Sequence, residues 1–550
     1  MIKLLTIWMW FFLILSIGCI PSTDLTETHI NMLILQLGSS DFKEREEASV
    51  QLKNLGEAAV PALMEAVDNS DKEVAQRAAR LLESFKPILR KRALSIIDKW
   101  KGAVVERQGT KITGLNLSSC EFTDADLTYL QYISELRKLD LSKTQISDKC
   151  LLRFKGLKEL KELDLSETHI TDIGVACLKE LRSLQILDIS KSRASKDVLS
   201  HIKTLENLKA LYLTGLPISD ASLIEINGLE ELVDVDLSRT QITDIGLSHL
   251  SVHRKLTALN IAGTPISDEG IAHLKNLKAL ITLNLSNTKL TNTSLIYLRS
   301  LKTLRWLNIS KTQVRGGALS LLQNLTGLSR LNLSDTGVTD ESFVNIKNHK
   351  DLYELDISRT QITDAVIAQL KVLGDLISLK MSGTSITGTT LNQLEAIKSL
   401  SELDISDTKL TGENLCALNG CKSLAELNIS KIRLTDTDLM RLIGQTTLKR
   451  LNVSSTQLTN NGLVHLKSLK DLKELNVSCT RITDPGIAHL LAFAKLQSLN
   501  LSGNRLTDTC VKHLKRLRSL EVLDVSGTNV TEKGCADLQS RIRNLRVLSR

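Results

Sequence analysis

Aromatic side chains are scarce in this chain: 5 Tyr, 8 Phe and 4 Trp among 550 residues, 3% in all. A single large globular core usually draws on them for bulk, and a chain of this length exceeds what one such core holds. Nine cysteines are present, but none forms a Cys-x-x-Cys pair, which removes the usual zinc and thiol-redox motifs. There is no Gly-rich phosphate loop, no His-Glu-x-x-His and no nucleophile–His–acid arrangement. A non-enzymatic protein without a cofactor is therefore expected. A surplus of one charge is also lacking. The 70 Lys and Arg are interleaved with 62 Asp and Glu, so the formal +8 is too diffuse for nucleic acid.

What the chain has instead is a period. Stepping by 24 residues from Cys120 to Thr528 passes through 18 units without insertion or deletion, and 13 of the 18 places are Thr. Such a fixed period identifies a solenoid. Numbering each unit from its first leucine, as in Leu160–Ser183, puts Leu160, Leu163 and Leu165 at positions 1, 4 and 6. A strand is expected around positions 3–7, with 4 and 6 inward and 3, 5 and 7 outward. Position 9 is the Thr column, whose hydroxyl can bond backbone at the turn. Position 11 is inward. Position 13 is Asp in 11 of 18 units, where a carboxylate can cap the helix that follows. A helical or irregular segment then returns to the next strand.

These residues resemble the cysteine-containing subfamily of leucine-rich repeats, L-x-x-L-x-L-x-x-C-x-x-I-T-D-x-G-L. Here Thr mostly replaces the Cys, and the interval after it is one residue shorter. The resemblance covers residues 112–543 and implies an α/β solenoid, a leucine-rich-repeat horseshoe with a parallel concave sheet. It also implies a protein, peptide or glycan ligand on that face. The subfamily includes F-box substrate adaptors of ubiquitin ligases, which leaves an intracellular adaptor as an alternative, with an enzyme of unrecognised site as another.

The outward columns are uniform. Position 5 is Asp or Asn in 16 of 18 units, with Tyr212 and Lys380 as exceptions, and position 7 is Ser in 16 of 18. These are expected to bond to their equivalents in neighbouring units. Asp140, Asp164 and Asp188 form a run of carboxylates that either pairs with Lys138, Lys143, Lys161 and Lys191 or holds a cation. The candidate contact surface is Trp306, Arg330 and Glu354 at position 3 of three successive units, with Arg305 and Tyr353 beside them and Tyr212 and Lys380 as further candidate binding residues on the same face; Trp next to Arg and Tyr has the composition of a binding hot spot. His249, His273, His465, His489 and His513 share position 18, which reads as solvated convex surface.

Before the repeats, MIKLLTIWMWFFLILSIGCI carries Lys3, an apolar run from Leu4 to Ile17, and Gly18-Cys19. This resembles a bacterial lipoprotein signal over 1–18. The resemblance implies lipidation of Cys19 and membrane-anchored, extracytoplasmic display. An uncleaved anchor helix and ordinary cleavage are the other readings. A polar linker is expected at 19–27 and a helical module at 28–101. Its helices are placed at His29–Leu37, Asp41–Leu55, Glu57–Asp68 (kinked or started by Pro61), Lys72–Phe85 and Pro87–Lys101. The stretch LGEAAVPALMEAVDNSDKEVAQRAARLLESF resembles HEAT-type repeats, and the module is expected to cap the first repeat. Residues 102–111 read as a strand and turn. The tail Asn544–Arg550 starts another leucine pattern that slips by one residue.

Overall fold

The computed structural model describes residues 22–549, positions 68 and 119 excepted, and no side chain at 22–26. The signal over 1–18 and Cys19 lie outside the described residues. The chain divides into two compact units, Met1–Leu160 and Lys161–Arg550.

The first unit opens with four helices: α1 (Ser22–Gln36), α2 (Phe42–Leu55), α3 (Val60–Ala66) and α4 (Lys72–Ile97). The expected polar linker is thus helical from Ser22. Asp41 caps α2 by accepting from the Lys43 amide at 2.8 Å, and Gly56 ends it at φ 61°. Pro61 sits in the first turn of α3, where its missing N–H is not needed. The two helices expected on either side of Pro87 are one. Their apolar stripe (Val74, Ala78, Leu81, Phe85, Leu89, Ala93, Ile97) runs unbroken through the proline and is buried along its length. That burial outweighs an interior proline's cost of about 3 kcal/mol.

Consecutive helices pack in pairs, α1 on α2 and α3 on α4. The module is fastened to the first repeats. Arg90 Nη1 donates to Glu135 at 2.7 Å, Arg153 Nη1 donates to the Met64 carbonyl at 2.8 Å, and Tyr129 and Tyr132 pack on the helical core. Strand β1 (Val104–Gln108) then pairs antiparallel with β2 (Lys111–Asn116), and β2 pairs parallel with β3 (Lys138–Asp140).

The second unit holds seventeen strands of three residues, from Glu162–Asp164 to Arg546–Leu548. Each pairs in parallel with the next at a register of one repeat, as in Trp306↔Arg330 and Leu307↔Leu331. The strands cover positions 3–5, shorter than expected. In the unit starting at Leu280, positions 1, 4, 6, 11, 16, 19 and 22 are Leu280, Leu283, Leu285, Leu290, Leu295, Leu298 and Leu301, all fully buried. Each such leucine contributes roughly 1.5–3 kcal/mol, and only against its neighbouring units. The tail keeps the register rather than slipping: Arg546, Val547 and Leu548 pair with Val522, Leu523 and Asp524 as a last strand after helix Glu532–Arg541.

The Thr column does what its hydroxyl suggested. Thr168 Oγ1 donates to the Leu165 carbonyl at 2.5 Å and Thr288 Oγ1 to Leu285 at 2.6 Å, both three residues back in the same turn. Asn504 reaches further, donating to both Leu501 and Val477 of the preceding unit.

Position 13 behaves differently from expectation. The helix cap is the Thr or Ser at position 12, one residue earlier: Thr243 accepts from the Ile245 amide. The position-13 carboxylate instead reaches forward to the cap residue of the next unit. Asp220 accepts from Thr243 N at 2.7 Å and Thr243 Oγ1 at 2.6 Å, and Asp244 accepts from Ser267 N at 2.8 Å and Ser267 Oγ at 2.6 Å. Asp172, Asp340, Asp484 and Asp508 repeat the bond. Where position 13 is Lys196, Gly316 or Gly412, no such acceptor exists. There the next cap, Ser219, Thr339 or Thr435, closes a capping box with Ser222, Ser342 or Asp438 of its own helix.

Candidate functional site: the outward face of the repeat sheet

The strand geometry sends positions 3 and 5 to the open face of the sheet, and the rest of each unit holds them there. Position 5 serves its own unit first. Its Oδ1 accepts from the position-7 amide, as in Asp164–Ser166 at 2.8 Å, Asp188–Ser190 at 2.8 Å and Asn308–Ser310 at 3.0 Å. Asn and Asp make this bond alike, so the ladder expected between units is chiefly a turn within each unit. Cross-strand bonds are added where the types differ: Asn260 donates to Asp236 at 2.7 Å and Asn428 to Asp404 at 3.0 Å.

Position 8, at the strand's exit, is left-handed in every unit from Lys143 to Gly527. Only five of these residues are Gly. Nine of the others place charged side chains along the rim, and some pair across units. Lys191 reaches Glu167 at 2.9 Å, and Arg359 holds Asp335 through Nε at 2.6 Å and Nη2 at 2.7 Å. That guanidinium holds the Asp335 carboxyl below the usual carboxylate range.

The hot-spot residues come together in part. Arg305, Trp306, Arg330 and Tyr353, with Thr282 and Ser329, line an open depression of about 320 Å³. The Arg330 guanidinium lies over the Tyr353 ring at 5.2 Å, donates to the Tyr353 hydroxyl, and stands 3.5 Å from Glu354. Arg305 turns along the sheet to the Gly327 carbonyl at 2.7 Å and Asp351 at 3.5 Å. Both guanidiniums are thus held by neighbours, while Trp306 is half-exposed between them. Lys380 stands apart from this depression and pairs with Glu402 at 3.4 Å.

Tyr212 belongs to another neighbourhood. It lies in register between Asp188 and Asp236 and donates to Asp234 at 2.9 Å. Burial, with Asp164 and Asp236 adding repulsion, pushes the Asp188 carboxyl up, and burial likewise raises Asp234. Among the described residues no group of three or more His, Cys, Asp or Glu side chains is arranged to hold a metal ion. Asp164 and Asp188 are turned to their own position-7 amides, and so is Asp140 to Ser142 at 2.9 Å in the first unit.

Sequence reading stopped the position-3 column at Glu354, and the column continues. Glu402, Glu426, Arg450 and Glu474 line a second depression of about 400 Å³ with Asp404 and Asn428. Arg450 bonds Glu426 and stands 3.8 Å from Glu474. Extending the 24-residue step would have found these residues. Ser378 gives no such signal. Lying in register between Glu354 and Glu402, it is 7% exposed and its Oγ makes no hydrogen bond.

Family models described as leucine-rich repeats match residues 134–193, 252–274, 444–467, 468–491 and 495–517. No curated protein sequence matches the chain. Solved structures do. An internalin, InlF of Listeria monocytogenes, is 24% identical over 63% of this chain and 88% of its own, with a TM-score of 0.42. The ectodomain of the Arabidopsis receptor kinase HAESA, solved with an IDA peptide hormone, is 19% identical over 85% of this chain and 98% of its own, at 0.43. TLR13, solved with a single-stranded RNA, is 21% identical over 74% of this chain and 65% of its own, at 0.50. The family matches, the 24-residue strand register and the fold likeness to TLR13 establish the solenoid as one built of leucine-rich repeats.

Proposed function

We propose that this chain is a non-enzymatic binding protein, displayed outside the cytoplasm on a membrane through a lipid on Cys19, that takes an extended protein or peptide segment across the outward face of its sheet. The observation that carries the binding half is the Trp306 depression. Everywhere else on this face position 3 is small, aliphatic or charged. Here a half-exposed Trp is flanked by two arginines already fixed by Tyr353, Glu354 and Gly327. Side chains ordered before a partner arrives lose less entropy on binding. The anchoring half rests on Gly18-Cys19 following an apolar run. Among the described residues no helix is long and apolar enough to cross a membrane.

A photo-crosslinking residue at Trp306, compared with one at Ile245 on the opposite side of the unit, tests the first half in native membranes. Ile245 is 64% exposed and Trp306 is partly exposed. Adducts are expected at Trp306 and not at Ile245, and the reverse pattern sinks the reading. Mass spectrometry of the purified N-terminus tests the second half, since an intact Met1 is incompatible with a lipidated Cys19.

A further inference from the structure

The chain carries a formal +8, yet its repeat sheet does not share that sign. From residue 161 onward, outward positions 3 and 5 hold twelve carboxylates and three basic side chains. All three basic groups are taken up by glutamates of the same face: Arg330 by Glu354 at 3.5 Å, Lys380 by Glu402 at 3.4 Å, and Arg450 by Glu426 and by Glu474 at 3.8 Å. Among the described residues, no cation at these two positions is left unpaired to offset the surplus.

The fold does not ask for that surplus. Position 5 needs only an acceptor for the position-7 amide, and Asn supplies it in Asn308, Asn332 and Asn500. Aspartate at 164, 188, 236, 356 and 404 therefore adds charge that the turn does not use. Burial, with neighbouring carboxylates adding repulsion, holds the Asp188 and Asp234 carboxyls above the usual range. A second kind of unmet demand lies on the same face. Ser378, 7% exposed between Glu354 and Glu402, keeps an Oγ with no hydrogen-bond partner. A buried hydroxyl left unpaired costs about 1–3 kcal/mol.

We infer that the segment received by this face is basic: an extended polypeptide rich in Lys and Arg, whose cations meet the surplus negative charge of the position-5 aspartates. This rests on the reading of the sheet face as the binding surface and adds the chemistry of its partner. Each ammonium or guanidinium arriving there replaces carboxylate repulsion by attraction. Association of this kind is fast at low salt and is screened within about 10 Å at 0.1 M.

The test uses the full-length protein in detergent and fluorescein-labelled decalysine and decaglutamate peptides, followed by anisotropy across a sodium chloride series. Decalysine is expected to bind and to weaken with salt, while decaglutamate does not bind. Combining Asp164→Asn, Asp188→Asn, Asp236→Asn, Asp356→Asn and Asp404→Asn keeps every turn acceptor. It is expected to weaken decalysine binding roughly tenfold or more at low salt, with circular-dichroism melting unchanged. Absent decalysine binding, equal binding by the variant, or saturable heat from calcium chloride with none from the peptide each overturns the inference. A Trp306 crosslink to an acidic or neutral segment also overturns it while leaving the binding face in place. Loss of both the crosslink and decalysine binding removes the two together.

Discussion

Asp220 and Gly246 are 26 residues apart, yet each accounts for the other. The Asp220 carboxylate accepts from Thr243 N at 2.7 Å and Thr243 Oγ1 at 2.6 Å. A Cβ built on Gly246 would lie 2.5 Å from Asp220 Oδ1, inside any permitted contact. The same pairing recurs at Gly270 with Asp244 and at Gly534 with Asp508. Asp220→Ala removes two charge-assisted bonds to partly buried groups, a loss of about 2–3 kcal/mol. Gly246→Ser alone forces a carboxylate or a turn to move, about 1–3 kcal/mol. Together they rebuild the arrangement seen where Gly316 precedes Thr339, in which the position-15 residue Ser342 closes a capping box. The double variant is therefore expected within about 1 kcal/mol of the parent, a favourable coupling on the order of 2 kcal/mol or more. Asp220→Asn should be nearly neutral, because Asn460 keeps both contacts with Thr483 by accepting from N at 2.9 Å and donating to Oγ1 at 2.7 Å. Urea unfolding followed by circular dichroism gives the midpoints, and amide exchange at Thr243 reports the local loss. Strictly additive single effects, or an Asn variant as damaged as Ala, would refute the forward-reaching carboxylate.

Other perturbations follow from single sites. His253 and His349 replace leucine at position 22, are 2% and 0% exposed, and each leaves Nε2 without a partner; burial holds both below the usual imidazole value. The unfolded chain takes up protons below about pH 6.5 that the folded chain declines. Stability should therefore fall as pH drops through that value toward the lowered folded pKa. His253→Leu/His349→Leu should flatten that part of a melting-temperature profile relative to the parent, and an unchanged slope would count against it. At Ser455, where φ is 56°, Gly should raise the urea midpoint by an amount equivalent to about 0.5–1 kcal/mol and Val should lower it; equal midpoints would remove backbone strain from position 8. Asp188→Asn should be neutral or stabilising at pH 7. Its raised carboxyl pKa means that stability is lost as pH rises through the folded value, and Asn keeps the bond from Ser190 N; a lower melting temperature at pH 7 would contradict this.

The solenoid was legible because a 24-residue period survives every substitution within it. The same regularity hid some of its contacts. In a strict repeat, a carboxylate that caps its own helix and one that bonds the cap 23 residues on leave the same sequence pattern. Only the exceptions break that symmetry. Lys196, Gly316 and Gly412, three of the four units without an acceptor there, are each followed by a self-sufficient capping box, and that substitution in step identifies the partner; Gly388 is followed by Thr411, which closes none. The left-handed turn at position 8 was masked for a related reason: Lys, Arg and Asp occupy it more often than Gly, so residue type did not announce the backbone. At Pro87 a local rule lost to a longer one, since an apolar stripe seven residues long carried the helix through.

The face of the sheet inverts this logic. Where the fold fixes a residue's chemistry, as with the leucines or the Thr column, variation is small and says nothing about a ligand. Where the fold asks only for an acceptor, as at position 5, or for nothing beyond a strand, as at position 3, choice is free. Trp306 stood out there as a single large departure. Beyond the run at Asp140, Asp164 and Asp188, the carboxylates did not, because each is ordinary alone and becomes informative only when its column is read against the chain's own positive charge. Ser378 lay beyond reach altogether, since its unmet hydroxyl arises from how its neighbours fold over it. The positions least constrained by packing are thus the ones that describe the partner, and they describe it by sign and spacing.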